Sequence, residues 1–195
     1  MTKDFYVFRH GQSTYNLAGR TQGQTNDSVL TPLGEEQALS IGQKLQDKGV
    51  ELIATSPLQR AVQTATLANQ SLKVPLVTDN DFIEVNVGVV EGMHYTEILN
   101  RYREIFEKLH SPHEGEGFDV CYPQGETQRQ VRQRIWAGLN RWANDNKYKT
   151  IAISSHGIAI TQIMGALNTP SQDVKNGAIL HLRKDNDQWQ IIEMI

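Results

Sequence analysis

Two arginines and two histidines in this chain stand where they could act on a phosphate group. Arg9 and His10 directly follow a short apolar segment. Arg60 lies a few residues after a second such segment, and His156 comes just after a third. Arginine offers a fork of N–H donors that fits phosphate or carboxylate, and a neutral imidazole is a competent nucleophile toward phosphorus. The four side chains therefore indicate an anion site suited to phosphoryl transfer.

The placement of these residues predicts that they converge. Short apolar segments that end in a turn signal are typical of buried strands in a parallel sheet, and ligands bind at the carboxyl ends of such strands. Arg60 is expected in the first turn of a helix, where side chains lean back toward the N-terminus and hence toward the same edge. Helix N-termini at this edge also favour anions.

Each residue also has an ordinary structural interpretation. Taken alone, Arg60 fits a solvated helix residue and His156 fits a hydrogen-bonded histidine near a strand end, but the convergence of three strand ends favours function. Transfer of a phosphoryl group from an alcohol also needs a general acid. Glu84 is the candidate because it follows the third strand, although spacing alone favours a carboxylate on a surface loop. Glu36 is a weaker candidate because it lies inside a predicted helix.

Strands and helices alternate along the chain. The predicted strands are 5–8, 52–54, 75–78, 150–153, 179–182 and 189–192. The predicted helices are 31–48, 56–68, 96–109, 126–144 and 157–167. Thr31-Pro32 is a typical helix start, Ser56-Pro57-Leu58-Gln59 resembles a capping box, and Gly49 is placed to end a helix. The alternation predicts a single three-layer α/β/α domain over residues 1–195 with a mostly parallel central sheet.

Composition excludes several classes of function. The chain has 195 residues with 19 basic and 22 acidic side chains, so its net charge of -3 gives no general attraction to nucleic acid or membrane. One cysteine, Cys121, excludes an internal disulfide and a zinc site built on several cysteines. The sequence lacks a membrane-length apolar run and an N-terminal leader pattern, from which we expect a cytoplasmic protein. His110, His113 and Glu114 leave a loop metal site open as a minor alternative.

Several segments, in order, resemble signatures of the histidine phosphatase superfamily, in the branch of cofactor-dependent phosphoglycerate mutases and related phosphatases. The resemblance covers nearly the whole chain. The first segment, Phe8 to Asn16, contains the Arg-His-Gly motif. The others are Gly19-Arg20-Thr21-Gln22-Gly23, Leu30-Thr31-Pro32-Leu33-Gly34, Ser56 to Ala65 with its second arginine, Glu84 with Gly88 and Glu91-Gly92, Gly125-Glu126-Thr127, and Ser155-His156-Gly157.

The resemblance implies a role for each matching residue. His10 would become transiently phosphorylated, and Glu84 would protonate the leaving group and then activate water or a second acceptor. The residues that would hold or border the phosphoryl group are Arg9, Arg60, His156, Asn16, Gln22, Gly23 and Gly157. The resemblance implies no metal and no organic cofactor for hydrolysis.

Two features depart from the family pattern. The loop from Gly23 to Leu30 is one residue longer than usual, which leaves open whether Asn26 or Asp27 fills the usual acidic position. The segment around Glu84 lacks the charged or aromatic neighbours often found beside the acid. The following Gly88 and the Glu91-Gly92 pair keep the register of the segment.

The resemblance leaves more than one activity open. Interception of the phosphohistidine by water would make the chain a phosphatase of a small phosphomonoester, whereas interception by bound phosphoglycerate would make it a mutase. We favour the phosphatase because residues 93–124, the expected cap segment, are short for a mutase. A non-catalytic phospho-ligand module is a third hypothesis, disfavoured because His10, Arg60 and His156 are present. Basic residues of the cap segment face either the substrate or solvent: Arg101, Arg103, Lys108, His110 and His113.

Overall fold

A six-stranded sheet forms the centre of the molecule, in a computed structural model that describes residues 2–110, 115, 117–169 and 173–195. Its order is β3-β2-β4-β1-β5-β6. β1 to β4 run parallel to one another, β5 runs antiparallel to β1, and β6 runs antiparallel to β5. The strands are β1 Thr2–Arg9, β2 Leu52–Thr55, β3 Leu76–Thr78, β4 Thr150–Ser155, β5 Ile179–Asp185 and β6 Gln188–Met194.

Helices cover both faces of the sheet. They are α1 Thr14–Leu17, α2 Pro32–Leu45, α3 Gln59–Leu72, α4 Tyr95–Arg101, α5 Arg103–Leu109, α6 Gln128–Asn144 and α7 Gly157–Ala166. In β1, Phe5 and Val7 pack in the core on the α6–α7 side, whereas Tyr6 and Phe8 pack in the core on the α2–α3 side. A strand buried on both faces reads as a continuous apolar run. The predicted three-layer α/β/α architecture is therefore confirmed.

The strand register brings three strand ends to one edge. Arg9, the last residue of β1, is paired with Ser155, the last residue of β4. Thr55, the last residue of β2, is paired with Ser154 of β4. Whatever follows these three strands must therefore lie at a common edge, as the sequence predicts.

The predicted helices 96–109 and 31–48 differ in extent from the observed ones. The predicted helix 96–109 is two helices, α4 and α5, because Tyr102 leaves the helical conformation (φ -133°) and packs edge-on against Tyr122. Gly49 does not end α2, which stops at Leu45; Gly49 lies at φ 71° in the following turn. Among the described residues, no helix combines the length and apolar character needed to cross a membrane.

The α2–α3 contact depends on a glycine. A Cβ placed on Gly42 would lie 2.3 Å from the carbonyl oxygen of Ala68, so the two helices pack with backbone against backbone.

We expect Gly42→Ala to lower the free energy of unfolding by about 1–3 kcal/mol, and Tm by about 3–10 °C, because steric strain exceeds the gain in helix propensity. Thermal unfolding followed by circular dichroism measures this. Gln43→Ala, at an exposed position of the same helix, is the control, and equal Tm values for the two variants would contradict the packing argument.

Candidate active site

His10 lies at the end of β1 with its imidazole almost fully buried (2 % exposed). Its Nδ1 is 2.7 Å from the carbonyl oxygen of Gly11, so Nδ1 carries the proton and donates it. Nε2 therefore carries the lone pair, and it accepts a hydrogen bond from Arg60 Nε at 3.2 Å. Burial, together with the positive charges of Arg60 and Arg9, holds the pKa of His10 well below its ordinary value. The imidazole is therefore neutral, and its Nε2 carries the lone pair that nucleophilic attack requires.

The turn after His10 packs directly against the start of α2. A Cβ on Gly11 would lie 2.1 Å from the carbonyl oxygen of Gly34, a distance that no side chain tolerates. The Gly11 N–H donates to Thr64 Oγ1 at 3.0 Å, and this hydroxyl donates to the Arg60 carbonyl at 2.7 Å. Thr64 thus joins α3 to the turn that carries His10.

Arg60, in the first turn of α3, is 1 % exposed. Besides its contact with His10, it donates from Nη2 to the Gly23 carbonyl at 2.7 Å and from Nη1 to the Thr25 carbonyl at 3.0 Å. Burial lowers its pKa to about 10, with the Glu84 carboxylate opposing that shift, so the guanidinium is charged at neutral pH. A fixed positive charge therefore adjoins the candidate nucleophile.

The α3 helix begins later than the sequence predicts. Its first residue is Gln59, and the preceding Leu58 gives no side-chain cap, so the predicted capping box at Ser56 is wrong. Ser56 instead bonds His156, and the side chain of Asn26 accepts from the Gln59 N–H at 2.6 Å. Asn26 thus caps α3 from a distant loop. Asp27 accepts from Tyr15 Oη at 2.9 Å on the exposed surface, so the residue that meets α3 is Asn26.

His156 is fully buried beside His10, with the two ring centres 5.2 Å apart. Its Nε2 lies 2.7 Å from Ser56 Oγ. Ser56 Oγ accepts from the Leu58 N–H at 3.3 Å and has a second lone pair, so it either donates to Nε2 or accepts from it, according to the tautomer of the ring. Burial and the charge of Arg60 lower the pKa of His156 well below its ordinary value.

Two buried nitrogen atoms at this edge have no partner among the described residues: Nδ1 of His156 and Nε of Arg9. Arg9 donates from Nη1 to the Val174 carbonyl at 2.5 Å, and its guanidinium lies against Gly157, where an added Cβ would be 3.5 Å away. A buried donor without an acceptor costs about 1–3 kcal/mol, so such groups call for a functional explanation. Arg9 Nε, and His156 Nδ1 in the tautomer that protonates it, fit an anion held in front of α7.

Glu84 reaches the same place from the opposite side. It follows β3 and a 3-10 turn at Asn80–Phe82, and its carboxylate accepts from the N–H groups of Ile158 and Ala159, both at 3.2 Å. These N–H groups belong to the first turn of α7, where the helix dipole favours negative charge. The side chain is therefore held at the edge of the sheet rather than lying free on a surface loop.

Three further predicted residues border the cluster. Asn16 accepts through Oδ1 from the N–H of Ser13, and Gln22 accepts through Oε1 from Ser13 Oγ at 2.7 Å. Gly23 contributes its carbonyl to Arg60 and adopts φ 53°, with Glu91 Oε1 only 2.5 Å from where a Cβ would stand. A side chain at position 23 would be strained by the positive φ and would push against the Glu91 carboxylate.

Arg101, Arg103 and His110 of the cap segment do not join this cluster. Arg101 pairs with Glu97 at 3.3 Å and Arg103 with Glu107 at 3.8 Å, all on the surfaces of their own helices. His110 stacks on its helix neighbour Phe106. For the alternative metal site, His113 and Glu114 lie outside the described residues. No group of three or more His, Cys, Asp or Glu side chains in the part of the chain that the structure describes could hold a metal ion.

Comparison with known families agrees with this arrangement. Residues 5–195 match the family model described as histidine phosphatase superfamily, branch 1. The chain belongs to this superfamily. The match confirms the family expected from the sequence motifs, and it covers every element that carries the cluster.

Individual relatives of this histidine phosphatase superfamily member carry different names. An uncharacterised phosphatase, PhoE, of Bacillus subtilis is 30% identical over 190 residues, covering 95% of this chain and 90% of that protein. A probable phosphoglycerate mutase, GpmB, of Proteus mirabilis is 30% identical over 190 residues, covering 94% and 86%. The solved structure of YhfR from Bacillus stearothermophilus superposes with a TM-score of 0.88 at 23% identity, covering 97% of this chain and 95% of that one. That structural likeness confirms the fold.

Sequence reasoning missed the residue that holds the Glu84 segment in place. Arg134, on α6, makes a two-pronged ion pair with Glu126 at 2.8–2.9 Å. The same guanidinium donates to the carbonyl oxygens of Ile83 at 2.7 Å and of Glu84 at 3.0 Å. The Gly-Glu-Thr element at 125–127 was the only sequence signal near this contact, and the pairing with Arg134 depends on how α6 packs.

We expect Arg134→Ala to lower kcat/KM by about 10–100-fold, because a displacement of Glu84 of about 1 Å misplaces the proton donor. Steady-state kinetics with a phosphomonoester, together with Tm, measures this. Gln133→Ala, at the exposed neighbouring position on α6, is the control. An Arg134→Ala protein that is folded and as active as wild type would show that Arg134 does not position Glu84.

The low pKa of His10 and of His156 predicts that the pH profile of kcat/KM has no acid limb near pH 6.5. The neutral forms persist as pH falls, so kcat/KM, corrected for ionisation of the substrate phosphate, is expected not to decrease between pH 7.5 and pH 6. A histidine of ordinary pKa, about 6.5, would lose about three quarters of its neutral form at pH 6. An acid limb centred near pH 6.5 would contradict the assigned protonation state.

The same shifts predict a pH-dependent stability. Below the ordinary histidine pKa the unfolded chain takes up protons that the folded chain does not, so the free energy of unfolding falls as pH drops from 7 to 5. Urea unfolding at several pH values measures this, and the slope should diminish in His156→Gln. An equal slope in wild type and variant would show that His156 contributes nothing to it.

Proposed function

We propose that this chain hydrolyses small phosphomonoesters through a phosphohistidine on His10. One observation carries the proposal: the neutral His10, with its lone pair on Nε2, lies in a buried cluster with Arg9, Arg60 and His156. A nucleophile beside fixed positive charge and donors is what phosphoryl transfer asks of a protein. The phosphatase PhoE and the putative phosphoserine phosphatase among the relatives support the reaction class.

In the first step the Nε2 lone pair of His10 forms a bond to phosphorus while the bond to the leaving oxygen breaks. Arg60 and Arg9 neutralise charge on the non-bridging oxygens, and the Nδ1–H of His156 donates to one of them. Asn16 and the Gly157 N–H complete this set of donors, and Gln22 and Gly23 border it. Glu84 takes up a proton when the dianionic substrate binds and gives it to the leaving oxygen, so the products are a neutral alcohol and phosphohistidine.

In the second step a water oxygen attacks phosphorus as the N–P bond breaks. The Glu84 carboxylate takes the proton of that water, and the bonding electrons return to Nε2 of His10. Inorganic phosphate leaves, and His10 and Glu84 regain their starting protonation states. The chain's own side chains balance both steps.

We infer that residues 93–124 form a small cap on this single domain. Ile98 and Tyr122 of this segment build, with Val90 just before it, a separate apolar cluster apart from the two cores of the sheet. Arg101 and Arg103 of this segment are each paired with a glutamate, which leaves them poorly suited to bind the carboxylate of phosphoglycerate. Water therefore competes well for the phosphohistidine, and hydrolysis is favoured over transfer to a second acceptor.

The mutase alternative is supported by relatives that bear the name probable phosphoglycerate mutase. The experiment that separates the two is release of inorganic phosphate from a panel of phosphomonoesters, run beside conversion of 3-phosphoglycerate to 2-phosphoglycerate with 2,3-bisphosphoglycerate present. Phosphate release without isomerisation supports the proposal. Efficient isomerisation with little phosphate release would replace it with the mutase, and neither activity would favour a non-catalytic phospho-ligand module.

We expect His10→Ala to abolish turnover and to leave the fold intact, because it removes the nucleophile while its surroundings are held by backbone hydrogen bonds. Phosphate release and circular dichroism measure the two effects. His110→Ala, which removes an exposed histidine stacked on Phe106, is the control and is expected to act within about two-fold of wild type. Wild-type turnover in His10→Ala would exclude His10 as the nucleophile.

A cytoplasmic location stays a prediction that cell fractionation tests.

A further inference from the structure

The segment Val174–Ala178 lies behind the end of β1 and holds Arg9 along its length. The Arg9 N–H donates to the Ala178 carbonyl at 3.0 Å, and the Gly177 N–H donates to the Arg9 carbonyl at 3.2 Å. The Val174 carbonyl accepts from the Arg9 guanidinium. The backbone of this segment therefore fixes where β1 ends and where His10 begins.

Asn176 is the residue of this segment whose side chain reaches into the site. Its Nδ2 donates to the His10 carbonyl at 3.0 Å and to Asn16 Oδ1 at 3.2 Å. One amide group thus contacts both the residue that carries the candidate nucleophile and a residue expected to hold the phosphoryl group. Asn176 is partly buried.

The oxygen end of the Asn16 amide is crowded with donors. Oδ1 accepts from the Ser13 N–H at 3.1 Å as well as from Asn176, and Ser13 Oγ lies 3.0 Å away. Because these donors surround Oδ1, the Nδ2 group must point the other way. Among the described residues no hydrogen bond uses Asn16 Nδ2 as its donor, so its two protons are available to an incoming oxygen.

We propose that Asn176 is a positioning residue that fixes the orientation of the Asn16 amide, so that Nδ2 rather than Oδ1 faces a phosphoryl oxygen of the substrate. This inference rests on the proposed function. The two ends of an amide have nearly the same shape, so packing does not choose between them, and hydrogen bonds must. The reversed orientation would place a carbonyl lone pair against an anionic oxygen and convert an attraction into a repulsion.

Substitutions at position 176 separate orientation from simple loss of contact. Asn176→Ala and Asn176→Leu remove the donor, but the Ser13 N–H still holds Oδ1, so kcat/KM is expected to fall by only about 3-fold. Asn176→Asp places acceptors against Oδ1 and against the His10 carbonyl, which turns the Asn16 amide around. We expect it to lower kcat/KM by about 30–100-fold, the scale of losing a donor to transferring charge.

A negative charge near an anion site would also weaken binding without any reorientation. The control is a double-mutant cycle with Asn16→Ala, since a residue that acts through Asn16 has little further effect once that amide is gone. In the Asn16→Ala background we expect Asn176→Asp to cost no more than about 3-fold in kcat/KM. Lys175→Ala controls for disturbance of the segment, because the exposed Lys175 side chain pairs only with Asp173 in the described contacts.

Four outcomes decide the inference, measured as kcat/KM for 4-nitrophenyl phosphate and as affinity for orthovanadate, with Tm as the check on folding. A large effect of Asn176→Asp that disappears in the Asn16→Ala background supports it. The same effect in both backgrounds would reassign it to charge alone and overturn the inference. Equal effects of Asn176→Ala and Asn176→Asp, or an effect on Tm without one on kinetics, would also overturn it. If wild type binds orthovanadate but hydrolyses nothing, the proposed function fails, and the vanadate affinities decide the inference by the same comparison.

Discussion

The contact between the buried guanidinium of Arg60 and the imidazole of His10 is the interaction on which the rest of the site depends. Among the described contacts of Arg60, the hydrogen-bond acceptors are neutral: Nε2 of His10 and the carbonyl oxygens of Gly23 and Thr25. A buried charge satisfied by neutral groups keeps its field, because no carboxylate in direct contact cancels it. Burial, together with that field, keeps His10 and His156 neutral and leaves the cluster with a net positive charge that an anionic ligand can balance.

The loop around Gly23 is held in its observed conformation by the hydrogen bonds that its Gly23 and Thr25 carbonyl oxygens accept from Arg60. Glu91 holds the loop from outside by accepting from the Gln24 N–H at 2.8 Å, and the Gln24 side chain donates to the Glu84 carbonyl at 2.9 Å. The same loop sends Asn26 to cap α3, the helix that carries Arg60. Arg60 and Glu84 therefore depend on one loop, so a change at either residue affects the other.

Sequence reasoning was most successful where local chemistry decides the structure. The apolar run before Arg9 predicts a strand buried on both faces, and Thr31-Pro32 predicts the start of α2, because these signals act within a few residues. It failed at Ser56, where the same hydroxyl could cap a helix or bond an imidazole that lies 100 positions later, and only the fold selects between them. Tyr102 and Arg134 were missed for the same reason, since their partners come from other elements. The catalytic roles themselves stay predictions, although the predicted residues do lie together.

The central claim is that His10 carries the phosphoryl group between two displacement steps. The most direct measurement is rapid quenching in alkali of the wild-type protein with a ³²P-labelled phosphomonoester, followed by proteolysis and mass spectrometry of the labelled peptide. The account predicts an acid-labile label on the peptide that contains His10, at a level that rises and then decays as substrate is consumed. Turnover without any labelled protein, or a label on a different residue, would contradict it and would require direct attack of water on the bound phosphate or another nucleophile.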